Sequence, residues 1–518
     1  MSALLRVFSA RSLSKRPSRI HLRTLASEHS LKHGLKPTNY GQPLFASHPH
    51  LMEPNEITPG VPSQEYERRR KALMDSLPDG SLVVVVSGQV KYMSGREFLL
   101  YKFRQASDFW YLTGFEEPDS AVILQKNSTT RGYLMVMFSL GKDSHREKWE
   151  GARTSPEDLL QHFRADDVYS ITAFPSVLKS FLGECSNVFA DLPPSASLSR
   201  RGRSSTYQNL LKDLSPTVRT TRLEYDAIMD SLSSKKLQPL APKLAKLRSI
   251  KSEPEQRIMH RAADISAHAH TKTMRFTEPG MSEHTVAAHF EYLCARSGSQ
   301  RPAYVPVVAS GPNALIIHYT SNNQVIRDNE LLLIDAGCEY HGYASDITRT
   351  FPARGTFTSA QAALYNAVLQ AQKYLITLCT EVSGMSLAHI HRESLHALRK
   401  ELNKIGFNLQ GASGMSDLEH ELYPHYIGHP LTVTPDLHES AHLDRNAQLK
   451  AGMVITIEPG IYVPPSPLFP KDFHNLGIRI EDEILVGKDH PTVLSVAAPK
   501  EIADVEGACR GDLGLEPY

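Results

Sequence analysis

Two short apolar runs in the second half of this chain each end on a carboxylate. Leu331-Leu332-Leu333-Ile334 leads into Asp335, and Val454-Ile455-Thr456-Ile457 leads into Glu458. A third run, Gly477-Ile478-Arg479-Ile480, carries Glu481. Runs of this length and composition read as strands. A fourth acid, Asp346, lies just before Ile347-Thr348-Arg349-Thr350, eleven residues after Asp335. Two acids so placed, one at a strand end and one in the next strand, can face each other across an antiparallel pair. Four carboxylates in one place repel strongly, so a fold that gathers them must hold them with cations. With His429 they make a hard oxygen set with one imidazole, large enough for two divalent ions.

His425 and His429 are four apart in Tyr423-Pro424-His425-Tyr426-Ile427-Gly428-His429. Pro430 and the adjacent glycine argue for irregular backbone there rather than a helix. One histidine can bind metal while the other contacts substrate. Period two along 479–483 puts Arg479, Glu481 and Glu483 on one face, so Arg479 can orient or neutralise a carboxylate beside the metals. Such a site supports metal-assisted hydrolysis, with Glu458 as general acid/base as well as ligand. His318, in 313–319, is a candidate donor to substrate. Oxygen-rich coordination favours Mn²⁺, with Co²⁺ or Zn²⁺ as alternatives, because no thiolate is present to select zinc. The chain has no Walker A segment, no dinucleotide fingerprint and no HExxH segment, and Ser/His/Asp chemistry lacks a nucleophile elbow.

The 518 residues exceed what one hydrophobic core usually accommodates, which predicts two substantial domains. A formal net charge of +1 gives no reason to expect nucleic acid as a partner. The five cysteines are far apart and show no CxxC spacing, which fits a reducing compartment. No apolar run approaches the roughly 20 residues that span a bilayer. The first 27 residues carry six basic residues and no acid, and are rich in Ser and Leu. That is the composition of a mitochondrial transit peptide. Arg23-Thr24-Leu25-Ala26-Ser27 looks like a matrix processing site followed by loss of Leu25, so 1–25 is assigned to the transit peptide. Residues 26–63, with Pro, His, Gly and Asn, read as a linker or extended arm.

Residues 65–77 predict a helix ended by the Pro78-Asp79-Gly80 turn, and 82–86 a buried strand. The 103–114 segment reads as part of a strand-rich α/β region, with Trp110 as core packing. A long helical pattern covers 223–247, broken near Pro239. From 253 to about 274, Ile258, Met259, Ala262, Ala263, Ile265 and Ser266 share a helical face, with Glu253 and Glu255 in the first turn. Another helix is predicted at 283–295. The domain boundary is placed near 248, dividing 64–247 from 248–518.

With these motifs in hand, the chain resembles the creatinase/aminopeptidase P group of M24 metallopeptidases, and within it the mitochondrial aminopeptidase P type. Phe103-Arg104-Gln105-Ala106-Ser107-Asp108-Phe109-Trp110-Tyr111-Leu112-Thr113-Gly114-Phe115 and Trp149-Glu150-Gly151 carry the likeness in the first half. The five ligand motifs and 313–319 carry it in the second. The resemblance implies an α/β protein: a pita-bread catalytic domain preceded by a smaller creatinase-type α/β domain. It implies metal binding by Asp335, Asp346, His429, Glu458 and Glu481, with Asp346 and Glu481 bridging two ions. His318, His425 and His438 would line the substrate site, with Arg479 behind the ligands. Mitochondrial relatives trim one residue, commonly Tyr, Leu or Phe, from imported proteins already cut by the processing peptidase. An X-Pro aminopeptidase and a non-enzymatic scaffold of the same fold are the alternatives, and family likeness suggests a homodimer. In one respect the chain departs from the pattern. Relatives place the second histidine seven residues after the ligand, whereas His438 follows His429 by nine, across Thr432-Val433-Thr434-Pro435. The local pattern Asp436-Leu437-His438-Glu439 still assigns the role to His438.

Overall fold

The computed structural model describes residues 41–93, 101–191, 236–431, 444–512 and 517 of the chain. The 432–435 loop, His438, the transit-like segment and the 223–235 part of the long helical pattern lie outside the described residues.

The first half is built on a six-stranded sheet. Its order is Asp167–Ser170, Tyr133–Ser139, Ala121–Lys126, Ser81–Val86, Asn187–Phe189, Lys236–Gln238. The three middle strands pair antiparallel and the outer ones join in parallel. Leu82-Val83-Val84-Val85 is buried on both faces, which is why it reads as an unbroken apolar run. One face packs on Leu178 and Leu182 of the helix Phe174–Glu184. The other packs on Leu73 and Met74 of Ser63–Asp75, in a cluster that continues to Ile258, Met259 and Tyr343 in the second half. From Gly41 onward, the stretch read as linker or arm is docked. Gln42 donates to the Ile57 and Gly114 carbonyls, and Leu44, Met52 and Val61 are buried.

Two local expectations need correction. Ser107–Thr113 is a helix, not strand. Phe109, Trp110, Tyr111 and Leu112 are all buried, so the segment has no polar face and its sequence shows no helical period. Lys236–Gln238 is an edge strand, and the helix begins only at Ala241, with Pro242 in its first turn where a missing N–H costs nothing.

In the second half, the helix Glu253–Phe276 starts at a capping box between Ser252 and Glu255, and its predicted apolar face is buried. Glu283–Arg296 follows as expected. Ser359–Thr377, Leu387–Lys404 and Ile502–Arg510 complete the main helices described. Between them run short antiparallel ladders. Val307–Ser310, Leu331–Asp335 and Thr348–Pro352 form one, Val454–Ile457 pairs with Asp482–Leu485, and Gly460–Tyr462 pairs with Gly477–Arg479. Among the described residues no helix is long and apolar enough to cross a membrane.

Candidate metal centre

Strand ends bring the acids together. Asp335 closes Leu331–Asp335 in register with Thr348, and Asp346 sits two residues before that strand begins. Glu458 follows Val454–Ile457, whose Ile457 lies opposite Asp482, next to Glu481. The backbone at 423–431 is irregular, as Pro424 and Pro430 require. A side chain at Gly428 would strike the Thr456 carbonyl, so the chain passes close enough for the His429 N–H to reach Thr456 Oγ1 at 3.0 Å. Thr456 Oγ1 also lies 3.1 Å from Glu458 Oε1 and so ties the histidine strand to that acid.

Ligand atoms of Asp346, His429 and Glu481 all lie within 4.8 Å of one another. His429 Nε2 is 3.3 Å from Asp346 Oδ2 and 3.7 Å from Glu458 Oε1. Asp335 joins through Arg479, whose Nη2 donates to Oδ2 at 2.6 Å. The same guanidinium donates to Tyr462 OH at 2.7 Å and Thr348 Oγ1 at 3.1 Å, and Thr348 in turn donates to Glu481 at 2.6 Å. Glu483 accepts the Asp346 N–H at 2.8 Å. Arg479, Glu481 and Glu483 thus serve one cluster, although the strand is interrupted between Arg479 and Asp482.

His425 lies 3.9 Å from Glu458 and 2.9 Å from Tyr462 OH. His318 is exposed. The loop bearing it is anchored by Glu283, whose carboxylate accepts from Ser310, Asn313, Tyr319 and Gln324. That anchoring explains why Asn313 and Tyr319 belong to the motif.

The electrostatics mark a place for cations. Burial, with Asp346 nearby, pushes Asp335 up against the pull of Arg479. Burial raises Glu458 to about 7, and burial plus three neighbouring acids drives Glu481 well above the usual carboxylate range. Burial works against a charge on His429, yet Asp346 and Glu458 raise it to about 9. Desolvation of the half-buried His425, with Arg479 facing it, lowers it to about 3, so it stays neutral. Among the described residues the cluster's cations are Arg479 and a protonated His429, and its acids are pushed toward holding protons. Hard oxygen donors that retain protons for want of positive charge are the donor set a divalent ion fits.

Sequence reasoning missed Tyr304, whose hydroxyl lies 2.6 Å from Asp335 Oδ1 and 2.5 Å from Asp346 Oδ1. It also missed the orienting roles of Tyr462, Thr348 and Thr456. Nothing local distinguishes Tyr304 from the other tyrosines among the chain's 20.

The chain matches the family model for metallopeptidase family M24 over residues 257–488 and that for the aminopeptidase P N-terminal domain over 66–189. It is 37% identical over 481 residues to intermediate cleaving peptidase 55 of Saccharomyces cerevisiae, covering 93% of this chain and 90% of that one. It is also 37% identical over 502 residues to the mitochondrial intermediate cleaving peptidase 55 of Arabidopsis thaliana, covering 96% and 92%. A crystal structure of Icp55 from Saccharomyces cerevisiae, lacking its first 58 residues, superposes with a TM-score of 0.75 at 34% identity, covering 88% of this chain and 99% of that one. The fold is therefore the pita-bread catalytic unit preceded by a smaller α/β unit, and the chain belongs to metallopeptidase family M24, in its aminopeptidase P branch.

Proposed function

We propose that this chain is an intermediate cleaving aminopeptidase, which removes one bulky amino-terminal residue such as Tyr, Leu or Phe from mitochondrial proteins after presequence removal. The observation that carries the reading is the convergence of Asp346, His429 and Glu481 with Glu458 and the Arg479-bound Asp335, in a chain similar to intermediate cleaving peptidases along nearly its whole length. Those five side chains would hold two divalent ions, Mn²⁺ by donor chemistry, with Co²⁺ or Zn²⁺ as alternatives. When bound, the metal supplies Lewis acidity and a more acidic water. Glu458, facing both His429 and His425, takes the proton of the attacking water on its carboxylate and returns it to the leaving nitrogen. His425, kept neutral, and the exposed His318 contact the substrate, and His438 does so by its sequence pattern. Arg479 fixes Asp335 by donating to its Oδ2.

The acid-free, basic start supports a transit peptide at 1–25 and a place in the mitochondrion, in the matrix, with association to the inner membrane as the alternative. The six-stranded sheet supports a first domain at 64–247 and a catalytic domain at 248–518. A homodimer completes the reading. The test is to incubate metal-loaded protein from residue 26 onward with peptides beginning Tyr-Ala, Leu-Ser and Arg-Pro, and to weigh the products. Loss of one residue from the first two is expected, whereas cleavage of the Arg-Pro peptide alone would replace this assignment with an X-Pro aminopeptidase. No cleavage at all with metal bound would leave a scaffold.

A further inference from the structure

Asp335 and Asp346 are joined by a hairpin, Cys338–Tyr340 paired with Tyr343–Ala344 in the register Glu339↔Ala344 and Tyr340↔Tyr343. Its base is held from within the catalytic domain. Ser345 N donates to Cys338 O at 2.9 Å, Ala336 N to Ile347 O at 3.1 Å, and Ser266 Oγ lies 2.5 Å from Ser345 Oγ. Its far end is held by the other domain.

Each strand of the hairpin has its own anchor there. On the outgoing strand, Glu339 accepts from Arg104 Nε at 2.7 Å. On the returning strand, the Tyr343 hydroxyl accepts from Arg69 Nη2 at 2.9 Å and donates to Glu255 at 3.0 Å. Trp110 closes the turn. Its ring meets Tyr343 edge-on at 5.7 Å, and it lies against Gly342, where φ is +84° and a side chain would come within 2.8 Å of the indole. Arg69 is fully buried, stacked over Tyr66 and Tyr111, and 274 residues away from Tyr343 in sequence. Burying a guanidinium between two domains is expensive unless its partners are fixed. Here Glu65 and the Tyr111 carbonyl hold it from its own side, and the partners across the boundary are Tyr343 of this hairpin and Glu255 in the first turn of the helix that holds its base.

We propose that the amino-terminal domain sets the separation of the two metal-binding aspartates by clamping this hairpin, with Arg69, Trp110 and Arg104 as positioning residues. Sliding one strand against the other would shift Asp335 relative to Asp346, and separate anchors on the two strands oppose that slide. An error near 1 Å in such a site costs about 10²-fold in rate. The signature 103–115 is then a grip on the catalytic domain, with Gln105 satisfying four backbone groups to shape it. The proposal rests on the reading of Asp335 and Asp346 as metal ligands.

The test compares Mn²⁺ binding to metal-free protein by calorimetry, in wild type, Tyr343→Phe, Trp110→Phe, Trp110→Ala and Phe138→Leu. Phe138 lies in the cluster on the far face of the six-stranded sheet and serves as the stability control. Tyr343→Phe is expected to weaken Mn²⁺ binding about 10-fold, the lower end for groups that support metal ligands. Trp110→Phe should retain more affinity than Trp110→Ala, and Phe138→Leu should bind as wild type does while melting earlier. Glu339→Gln gives a second reading if Tyr343→Phe folds poorly. Wild-type affinity in both Tyr343→Phe and Glu339→Gln would overturn the clamp. Failure of the wild type to take up Mn²⁺ would overturn the metal-site reading, and the clamp with it.

Discussion

His270 offers a quantitative check on how the site's supporting frame is built. It lies on the helix Glu253–Phe276, fully buried, with Nε2 2.9 Å from the carbonyl of Ala336, the residue after Asp335, and its ring against Phe290. Burial first, and Arg349 nearby, lower its pKa to about 3, against the smaller opposing pull of the Ala336 carbonyl and Asp346. An unfolded histidine titrates near 6.5. Between these values the unfolded chain binds a proton that the fold refuses, so stability is full above about pH 6.5 and falls as pH drops toward 3. At pH 5 the loss relative to pH 8 is about 2 kcal/mol. His270→Gln keeps an amide N–H for Ala336 and cannot titrate. Melting of metal-free protein at pH 8 and pH 5 should then show wild type dropping further than the variant. At roughly 1–2 °C per kcal/mol for a chain of this size the difference is about 2–4 °C. The other histidines, including His341 and His425, titrate in both proteins and cancel. Equal drops would show that His270 is not held neutral and would refute the reasoning.

Three further outcomes are expected. Glu458→Gln should fold and bind Mn²⁺ more weakly, and at Mn²⁺ concentrations that saturate the variant it should still lose about 10²–10⁴-fold in kcat/KM, the range for a removed general acid/base; retained turnover would move proton transfer to another group. Tyr304→Phe should weaken Mn²⁺ binding about 10–100-fold in a calorimetric titration, because both aspartates lose the hydroxyl that orients them; unchanged affinity would make the hydroxyl incidental. Chelator should abolish peptide cleavage, and Mn²⁺ at 100 times its Kd should restore it while adding about 2.7 kcal/mol of stability, read as a higher melting temperature. A melting curve indifferent to Mn²⁺ would count against a built site.

What could be read in the sequence were features announced by near neighbours in the chain. The acids stand out because Asp335 and Glu458 end apolar runs, and the 253–276 helix because Ser252, Glu255 and a 3.6-residue period mark it. The hidden features are those made by distant pairing. Tyr304 reaches Asp335 and Asp346 across 31 and 42 residues, Arg479 reaches Thr348 across 131, and no periodicity encodes such contacts. Ser107–Thr113 was hidden for the opposite reason. A seven-residue helix buried from Phe109 to Thr113, between the sheet and the second domain, is too short and too apolar to reveal its period. Trp110 was legible as core, but not that its core spans both domains.

Adjacent residues on one chain segment give the strongest argument that the centre is made for cations. Glu481 and Asp482 are both buried, one at 1% and the other at 0% exposure, so desolvation penalises both. Asp482 is nevertheless held well below the ordinary carboxylate range, because Arg349 and Lys500 lie 2.7 and 2.5 Å away and Ser495 and Gln372 donate to it. Glu481 turns to the other side, toward Asp346, Glu458 and Asp335, with Arg479 the only arginine among them, and is driven far upward. At Asp482, which lies outside the cluster, this sequence supplies two basic side chains for one carboxylate. One residue earlier it gathers four carboxylates around one arginine and one histidine. Four acids against those two groups leave negative charge unbalanced, and the positive charge that balances it is left to come from outside the chain.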